Sequence, residues 1–417
     1  MIETFANIFP PAYYSLIVGA LNYLYLFMPI WLPVILIYIL WNNWMNYIQT
    51  KFLNEQDYRL LELKLPNEIK KTPLAMELFL TSLIQVGGEA NWYQKYVEGK
   101  SRPVFSLEMV SLEGQVKFFI WTRGFFKNLV EAQIYAQYPD IEITEVPDYT
   151  SFVNYDPNAL TLWGTEFKLA KDDFYPIKTY VDYDMESKGI KEEEKIDPIT
   201  PIIEYLGSAG KGQQIWLQIL VKAHKKERKK ALAWKEKWEK KEWNTFEDWG
   251  DQSKEAVKDL ITEATKPAEE GTAPRMMTKG ESGVIAAIER SVSKLSFDCN
   301  IRGIYLAEKE SFNPINIVAM IGTFKQFNSN NLNGFKLTQA TGFDFPWQDY
   351  KGIRVNRLKQ KVFNEYRRRS FSLFYQPFVL NTEELATIYH FPGGVVQTPT
   401  LSKLMSKKAE APFNLPT

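Results

Sequence analysis

Residues 104–120, VFSLEMVSLEGQVKFFI, decide the fold of this chain. Phe105, Leu107 and Met109 alternate with Ser106, Glu108 and Val110, so one side of an extended segment is apolar. After Glu113 and Gly114 a second extended run, Val116 to Ile120, begins. Two such runs separated by a short link containing glycine predict an antiparallel hairpin.

Working outward places a helix on each side of that hairpin. Upstream, Leu61, Leu63 and Leu65 alternate with Glu62 and Lys64, which predicts a half-buried strand. Thr72 then caps, and Pro73 opens, a helix with Ala75, Phe79, Ser82 and Val86 as its inward stripe, stopped by Gly87 and Gly88. Downstream, Phe125, Leu129, Ala132 and Ala136 recur at helical spacing before Pro139, and Ile141 and Ile143 open another strand. The order is βαββαβ, the ferredoxin-like split motif, in which two helices cover one face of a sheet.

A looser second copy follows. Phe167 and Leu169 begin a strand region reaching towards Asp182, and Thr200 with Pro201 starts a helix that Gly207 stops. Ile215, Leu217, Ile219 and Val221 alternate, as do Phe297, Cys299 and Ile301. Asn313 and Pro314 then start a helix with Ile317, Ile321 and Phe324 inward, and Gly334 to Thr338 forms the fourth strand. The repetition reads as an internal duplication.

Its second hairpin is opened by an insertion, residues 224–294. Residues 224–241 hold nine Lys or Arg against three Glu, whereas residues 247–270 hold eight acids against three bases. Both arms favour helix, so a protruding helical hairpin of opposite charges is expected, with residues 269–280 as the link.

The 417 residues suffice for two or three domains with a real core. Fifty Lys and Arg balance fifty Asp and Glu, which removes whole-chain basicity as an argument for nucleic acid and whole-chain acidity as one for disorder. One cysteine, Cys299, and two histidines, His224 and His390, are too few for a disulfide framework or a Cys/His zinc centre.

The amino terminus differs from everything after it. No charge occurs from Thr4 to Thr50, a stretch of 47 residues. Ser15 to Trp41 is nearly all apolar, and about 20 such residues cross a bilayer. The firm span is placed at Leu21 to Trp41, with Trp41, Trp44 and Tyr47 suiting an interfacial belt; Pro29 and Pro33 are tolerated in lipid. The preceding Phe5 to Tyr14 is expected to lie along the interface or begin a re-entrant hairpin. A cleavable signal fits badly with the length of the run and the lack of a basic region before it, so the segment is expected to stay in the mature protein. Lys51, Arg59 and Lys64 follow the span, so a single-pass inner-membrane protein with cytoplasmic C-terminal domains is expected.

The expected fold class is therefore α+β: an N-terminal transmembrane helix followed by two ferredoxin-like domains, the second carrying a charged helical insertion. The boundaries are a membrane anchor at 1–52, a first domain at 53–150, a second at 151–350 with its insertion at 224–294, and a basic connecting segment and tail at 351–417.

Few residues suggest chemistry. Gly207, Gly210 and Gly212 in GSAGKGQQ follow a helix rather than a strand, and Lys211 is not followed by Ser or Thr, so a helix cap and turn is read instead of a phosphate loop. His390, in TIYHFPGG, has no nucleophile motif beside it and reads as a packed or capping side chain. Cys299 reads as a buried thiol. Two basic runs are the candidate sites for a polyanion or partner: Lys225, Lys226, Arg228, Lys229 and Lys230 with Trp234 and Trp238, and Arg354, Arg357, Arg367, Arg368 and Arg369. Each has a solvated or connecting helix as its plain alternative. No catalytic, cofactor or metal residue is assigned.

Four stretches carry a resemblance: WMNYIQTKFLNEQDYRLLELKLPNEIKKTPLAME (44–77), FSLEMVSLEGQVKFFIWT (105–122), NLVEAQIYAQYPDIEITEVPDYT (128–150) and RRRSFSLFYQPFVLNTEELATIYHFPGGVVQTPTLSKLMSKKAEAPFNLP (367–416). Together they resemble an uncharacterised family of membrane-anchored proteins from candidate-phyla bacteria, related to the amino-terminal parts of type IV secretion and conjugation ATPases. In longer relatives a segment like Asn381 to Pro416 leads into a P-loop motor; here the sequence ends at Thr417, so ATPase activity is not carried over. The resemblance implies a non-enzymatic scaffold whose expected partners are the lipid bilayer and ATPase or secretion-system subunits. A homo-oligomer and nucleic acid stay open as further partners.

Overall fold

The computed structural model describes residues 19–20, 22–66, 69, 71–84, 90–186, 196–225, 249–266, 275–342, 345, 347, 349–371 and 377–393. The chain divides into two units, Met1–Gln56 with Glu89–Ser101, and Asp57–Gly88 with Arg102–Thr417.

In the first unit the uncharged run becomes helix α1, Met28–Asn54, 27 residues long. At 1.5 Å per residue it measures about 40 Å, more than a hydrocarbon core requires. It is the one described helix long and apolar enough to cross a membrane, and Ile48 is its sole buried residue. The expected span began at Leu21. Residues 22–26 are also helical, but the chain turns at Phe27, because Pro29 is accommodated in the first turn of a new helix. Pro33 lies inside α1. The expected interfacial segment at 5–14 lies outside the described residues.

Among the described residues the second unit is built on nine strands: β1 Tyr58–Lys64, β2 Val104–Leu112, β3 Gln115–Arg123, β4 Glu142–Val146, β5 Leu160–Leu169, β6 Gln213–Ala223, β7 Ser296–Glu308, β8 Phe335–Ala340 and β9 Phe378–Asn381. They form one sheet in the order β4-β1-β3-β2-β6-β7-β5-β8, with β9 on the end of β7. Every pairing is antiparallel. The β2–β3 hairpin turns as expected at Glu113 and Gly114, both in the left-handed region at φ 53° and 89°.

Each half of the sheet repeats one strand order, β4-β1-β3-β2 and β8-β5-β7-β6, and the halves meet along β2 and β6 from Val104↔Lys222 to Leu112↔Gln214. The two expected domains are therefore fused into one sheet. Left apart, each half would expose an edge strand with open backbone groups and apolar side chains on both faces.

Five helices cover one face: α2 Pro73–Ile84, α4 Lys127–Gln137, α5 Thr200–Gly207, α8 Ile315–Phe324 and α10 Thr382–Ile388. The short α3, Trp92–Tyr96, belongs to the first unit. Phe79, Ile134, Leu206, Met320 and Ile388 join Leu63, Leu107, Phe118, Leu217 and Ile301 in one apolar layer. Each such side chain contributes roughly 1.5–3 kcal/mol on burial. Among the described residues the other face carries one helix, α9 Ile353–Arg368, whose Val362, Phe363 and Tyr366 pack on Trp216, Leu162 and Ile304.

Three expectations change. The inward stripe of α4 is Val130 and Ile134, not Phe125, Leu129, Ala132 and Ala136; Phe125 is 89 % exposed. The two stripes differ by one residue, about 100° on a helix, and the branched pair wins the core. Strand β5 starts at Leu160 and ends at Leu169, since residues 174–186 run in turns and bends. The expected tail after 351 supplies α9, β9 and α10 instead. Every residue of α10 is buried, and β9 pairs with β7 from Ser296↔Asn381 to Cys299↔Phe378.

Within the insertion, α6 Trp249–Ala264 and α7 Lys279–Ser293 pack through Trp249 and Ile288 on Phe174 and Val379. Thr278 and Glu281 close a capping box at the start of α7. The basic arm beyond Lys225, residues 226–241, lies outside the described residues.

Candidate interaction surfaces

The face of the sheet under α9 holds a buried polar layer. Strand alternation sends Phe105, Leu107 and Met109 to one side and Ser106 and Glu108 to the other; the same alternation in β6, β7 and β5 adds Gln218, Arg302 and Glu166. Glu108 Oε1 accepts from Ser106 Oγ at 2.6 Å, Gln218 Nε2 at 3.1 Å and Arg369 Nε at 2.8 Å. Its Oε2 accepts from Tyr149 OH at 2.9 Å and Arg369 at 3.2 Å. Arg302 donates to Glu166 at 2.7 and 3.0 Å, to Gln218 Oε1 at 3.1 Å and to the Ser370 carbonyl at 3.1 Å. Buried charges survive only when paired and hydrogen-bonded, and both guanidinium groups meet that condition. Burial alone would depress the Arg369 pKa, but Glu108 and Asp148 more than offset it and hold the guanidinium above its ordinary value.

Two histidine–carboxylate pairs lie elsewhere in this unit. His224, at the root of the insertion, shares a 2.5 Å hydrogen bond with Asp298, which also faces Lys222 at 3.3 Å and Arg102 at 3.5 Å. Despite burial, these neighbours keep the Asp298 carboxyl below its usual range. Asp173 lies close by and is raised to about 6, chiefly by burial. His390 is packed as expected, contacting the Ala386 carbonyl at 2.8 Å through Nδ1 and Asp197 at 2.9 Å through Nε2. Cys299 is fully buried, which pushes its thiol up and away from reactivity. Among the described residues, no group of three or more His, Cys, Asp or Glu side chains is placed to hold a metal ion.

A cleft with a volume of about 1260 Å³ opens between the two insertion helices and the ends of β5 and β8. Lys168, Lys171, Lys266, Arg275 and Lys336 line it against three acids, Asp172, Glu263 and Glu281. Much of that charge is used locally. Lys171 donates to the Asn330 and Asn331 carbonyls at 3.2 and 3.0 Å, Lys336 to that of Ala170 at 3.1 Å, and Arg275 pairs with Glu281. Its described lining contains no histidine or cysteine, so it offers charge and shape rather than a nucleophile. The cleft was not legible in the sequence, because its lysines come from separate strands and from the insertion.

The sequence-predicted basic residues divide. Arg354, Arg357, Arg367 and Arg368 are exposed on α9, whereas Arg369 is 4 % exposed and turned into the sheet. The correction has a physical cause: Arg369 takes φ 49° at the end of α9, which reverses its side chain onto Glu108 and Asp148. Lys225 lies at the root of the insertion, beyond the end of β6; Lys226, Arg228, Lys229, Lys230, Trp234 and Trp238 lie outside the described residues. The Gly207 to Gly212 run is a helix end and turn, with the Gly212 N–H donating to Glu113.

The class so defined is an α+β protein with one large antiparallel sheet and an N-terminal helix long and apolar enough to span a membrane. Residues 49–404 match a domain of unknown function, DUF8128, and the chain belongs to that family. No curated protein matches the chain.

Proposed function

We propose that this protein is a membrane-anchored, non-enzymatic docking element in the inner membrane, with the sheet unit in the cytoplasm. The observation that carries the reading is α1: Ile30, Ile37 and Leu40 are each at least 65 % exposed on a 27-residue helix. Such an apolar surface needs lipid or a partner to cover it. The repeated strand order supports a duplicated pair of ferredoxin-like modules as the cytoplasmic part. The buried charge layer favours a rigid platform, since its charges are committed to one another rather than turned to a substrate.

The likeness to amino-terminal parts of type IV secretion and conjugation ATPases suggests the setting: a secretion, conjugation or pilus-like apparatus in which another chain supplies the motor. Purification of the full chain from membranes in mild detergent is the test. Recovery of an ATPase or translocation-channel subunit at fixed stoichiometry is the expected result. Repeated recovery of the chain alone would overturn the platform, and extraction by alkaline carbonate would overturn the anchor.

A further inference from the structure

Helix α9 turns Arg354, Arg357, Arg367 and Arg368 to solvent, and no acidic side chain is exposed anywhere between Lys351 and Phe371. Glu365, the one acid in that stretch, is 6 % exposed and faces Arg302 at 3.8 Å. Asp349, just before the helix, is spent as a cap, accepting from the N–H groups of Arg354 and Val355 at 2.8 and 2.9 Å. The inner side of α9 is fixed by Val362, Phe363 and Tyr366, so the cationic side has a fixed direction.

A second feature precedes the helix in the chain. Phe345 and Trp347 stack with centroids 4.6 Å apart and planes at 13°, yet are 48 % and 78 % exposed. Ile353, at the start of the helix, is 48 % exposed as well.

We propose that the outward face of α9, with the Phe345–Trp347 pair, is a second membrane contact that takes the headgroups of anionic phospholipids. This rests on α1 being embedded in the same membrane. An anionic leaflet attracts clustered cations, and exposed aromatic and aliphatic side chains settle in the headgroup zone beneath them. Three residues separate Asn54, the end of α1, from Tyr58, the start of β1. So short a tether makes the contact effectively intramolecular, and modest affinity suffices. Nucleic acid fits this surface less well, because rings stacked on each other offer a base only their outer faces, and Ile353 has no stacking face.

The test uses the full chain in vesicles, with Asn356→Cys on the exposed side of α9 carrying an environment-sensitive label; Cys299 is fully buried and stays unlabelled. In phosphatidylglycerol-rich vesicles the label should be about tenfold less accessible to an aqueous quencher than in phosphatidylcholine, as expected for several cations at a charged leaflet. The quadruple change of Arg354, Arg357, Arg367 and Arg368 to Gln should abolish the difference while the chain still floats with the vesicles and melts as before. Trp347→Ser should weaken it without a change in salt dependence. Equal accessibility in both lipids, with the chain floating normally, overturns this contact and leaves the anchor standing. Failure to float with either lipid overturns the anchor, and this contact with it. Protection by duplex DNA in phosphatidylcholine, without protection by anionic lipid, assigns the face to nucleic acid and overturns the proposal.

Discussion

Arg369 and Glu108 are separated by 261 positions in the chain and meet at 2.8 Å, both almost wholly shielded from water. The pair joins the end of α9 to β2 at the seam where the halves of the sheet fuse, because Glu108 also pairs in register with Gln218 of β6.

Removing one partner strands the other. Arg369→Met should lower stability by about 3–5 kcal/mol, the usual cost of leaving a buried charge uncompensated. The double variant Glu108→Gln with Arg369→Met should recover a substantial part of that loss, because only the half-buried Asp148 then lacks its cation. Denaturant unfolding of the detergent-solubilised chain measures both. Additive losses would show that the two side chains act independently.

Gly164 tests how closely α9 sits on the sheet. A Cβ there would stand 2.9 Å from Val362 Cγ1. Val362 is β-branched and has little rotamer freedom in a helix. Gly164→Ala should therefore cost about 1–3 kcal/mol by overpacking, and the added change Val362→Ala should relieve much of it. No coupling in the unfolding midpoints would mean that α9 shifts freely on the sheet.

Periodicity made the strands and most helices legible, because each reports its own buried face within a few residues. Pairing between β2 and β6 was not legible, since no local pattern links residues that far apart. Yet a trace was present: Glu108, Gln218 and Arg302 are long polar side chains flanked by large apolar ones in strands β2, β6 and β7, which points to a polar layer buried beneath another element. The run Thr382, Glu383 and Glu384 looks solvated by composition but is buried. Its carboxylates are satisfied by Thr179, Lys294, Asn381 and Ile177, partners from distant segments and from the helix's own capping box. Among the candidate site residues, Arg369 was indistinguishable from Arg367 and Arg368 by type. Only its left-handed backbone at the end of α9 separates it from them.

A charge in the middle of α1 tests the anchor. The helix has a mean hydropathy of 1.3 over its most apolar window, and Ile35 is 46 % exposed on it. Ile35→Arg should cost about 2.5–3.5 kcal/mol of insertion. The fraction released by alkaline carbonate should rise accordingly, whereas Asn54→Arg, at the helix end, should leave it unchanged. Equal release of both variants would mean that α1 is covered by protein rather than lipid.

Asp173 should make stability depend on pH. Its carboxyl is raised from 3.8 to about 6, first because it is buried and further by Asp172 and Asp298, against the opposing effect of His224 and of the Val379 N–H that donates to it at 3.0 Å. Between those two values the folded chain binds more protons than the unfolded chain, so this group's contribution to stability falls as pH rises and levels off above about 6. At about 1.4 kcal/mol per unit, the ionised form costs at most about 3 kcal/mol at pH 7. Asparagine keeps an acceptor for the Val379 N–H and has no charge to bury. Asp173→Asn should therefore match the parent near pH 4 and exceed it at pH 7, read as the difference between denaturant midpoints at the two values. A variant less stable than the parent at pH 7 would show that His224 stabilises the ionised carboxylate by more than burial costs it.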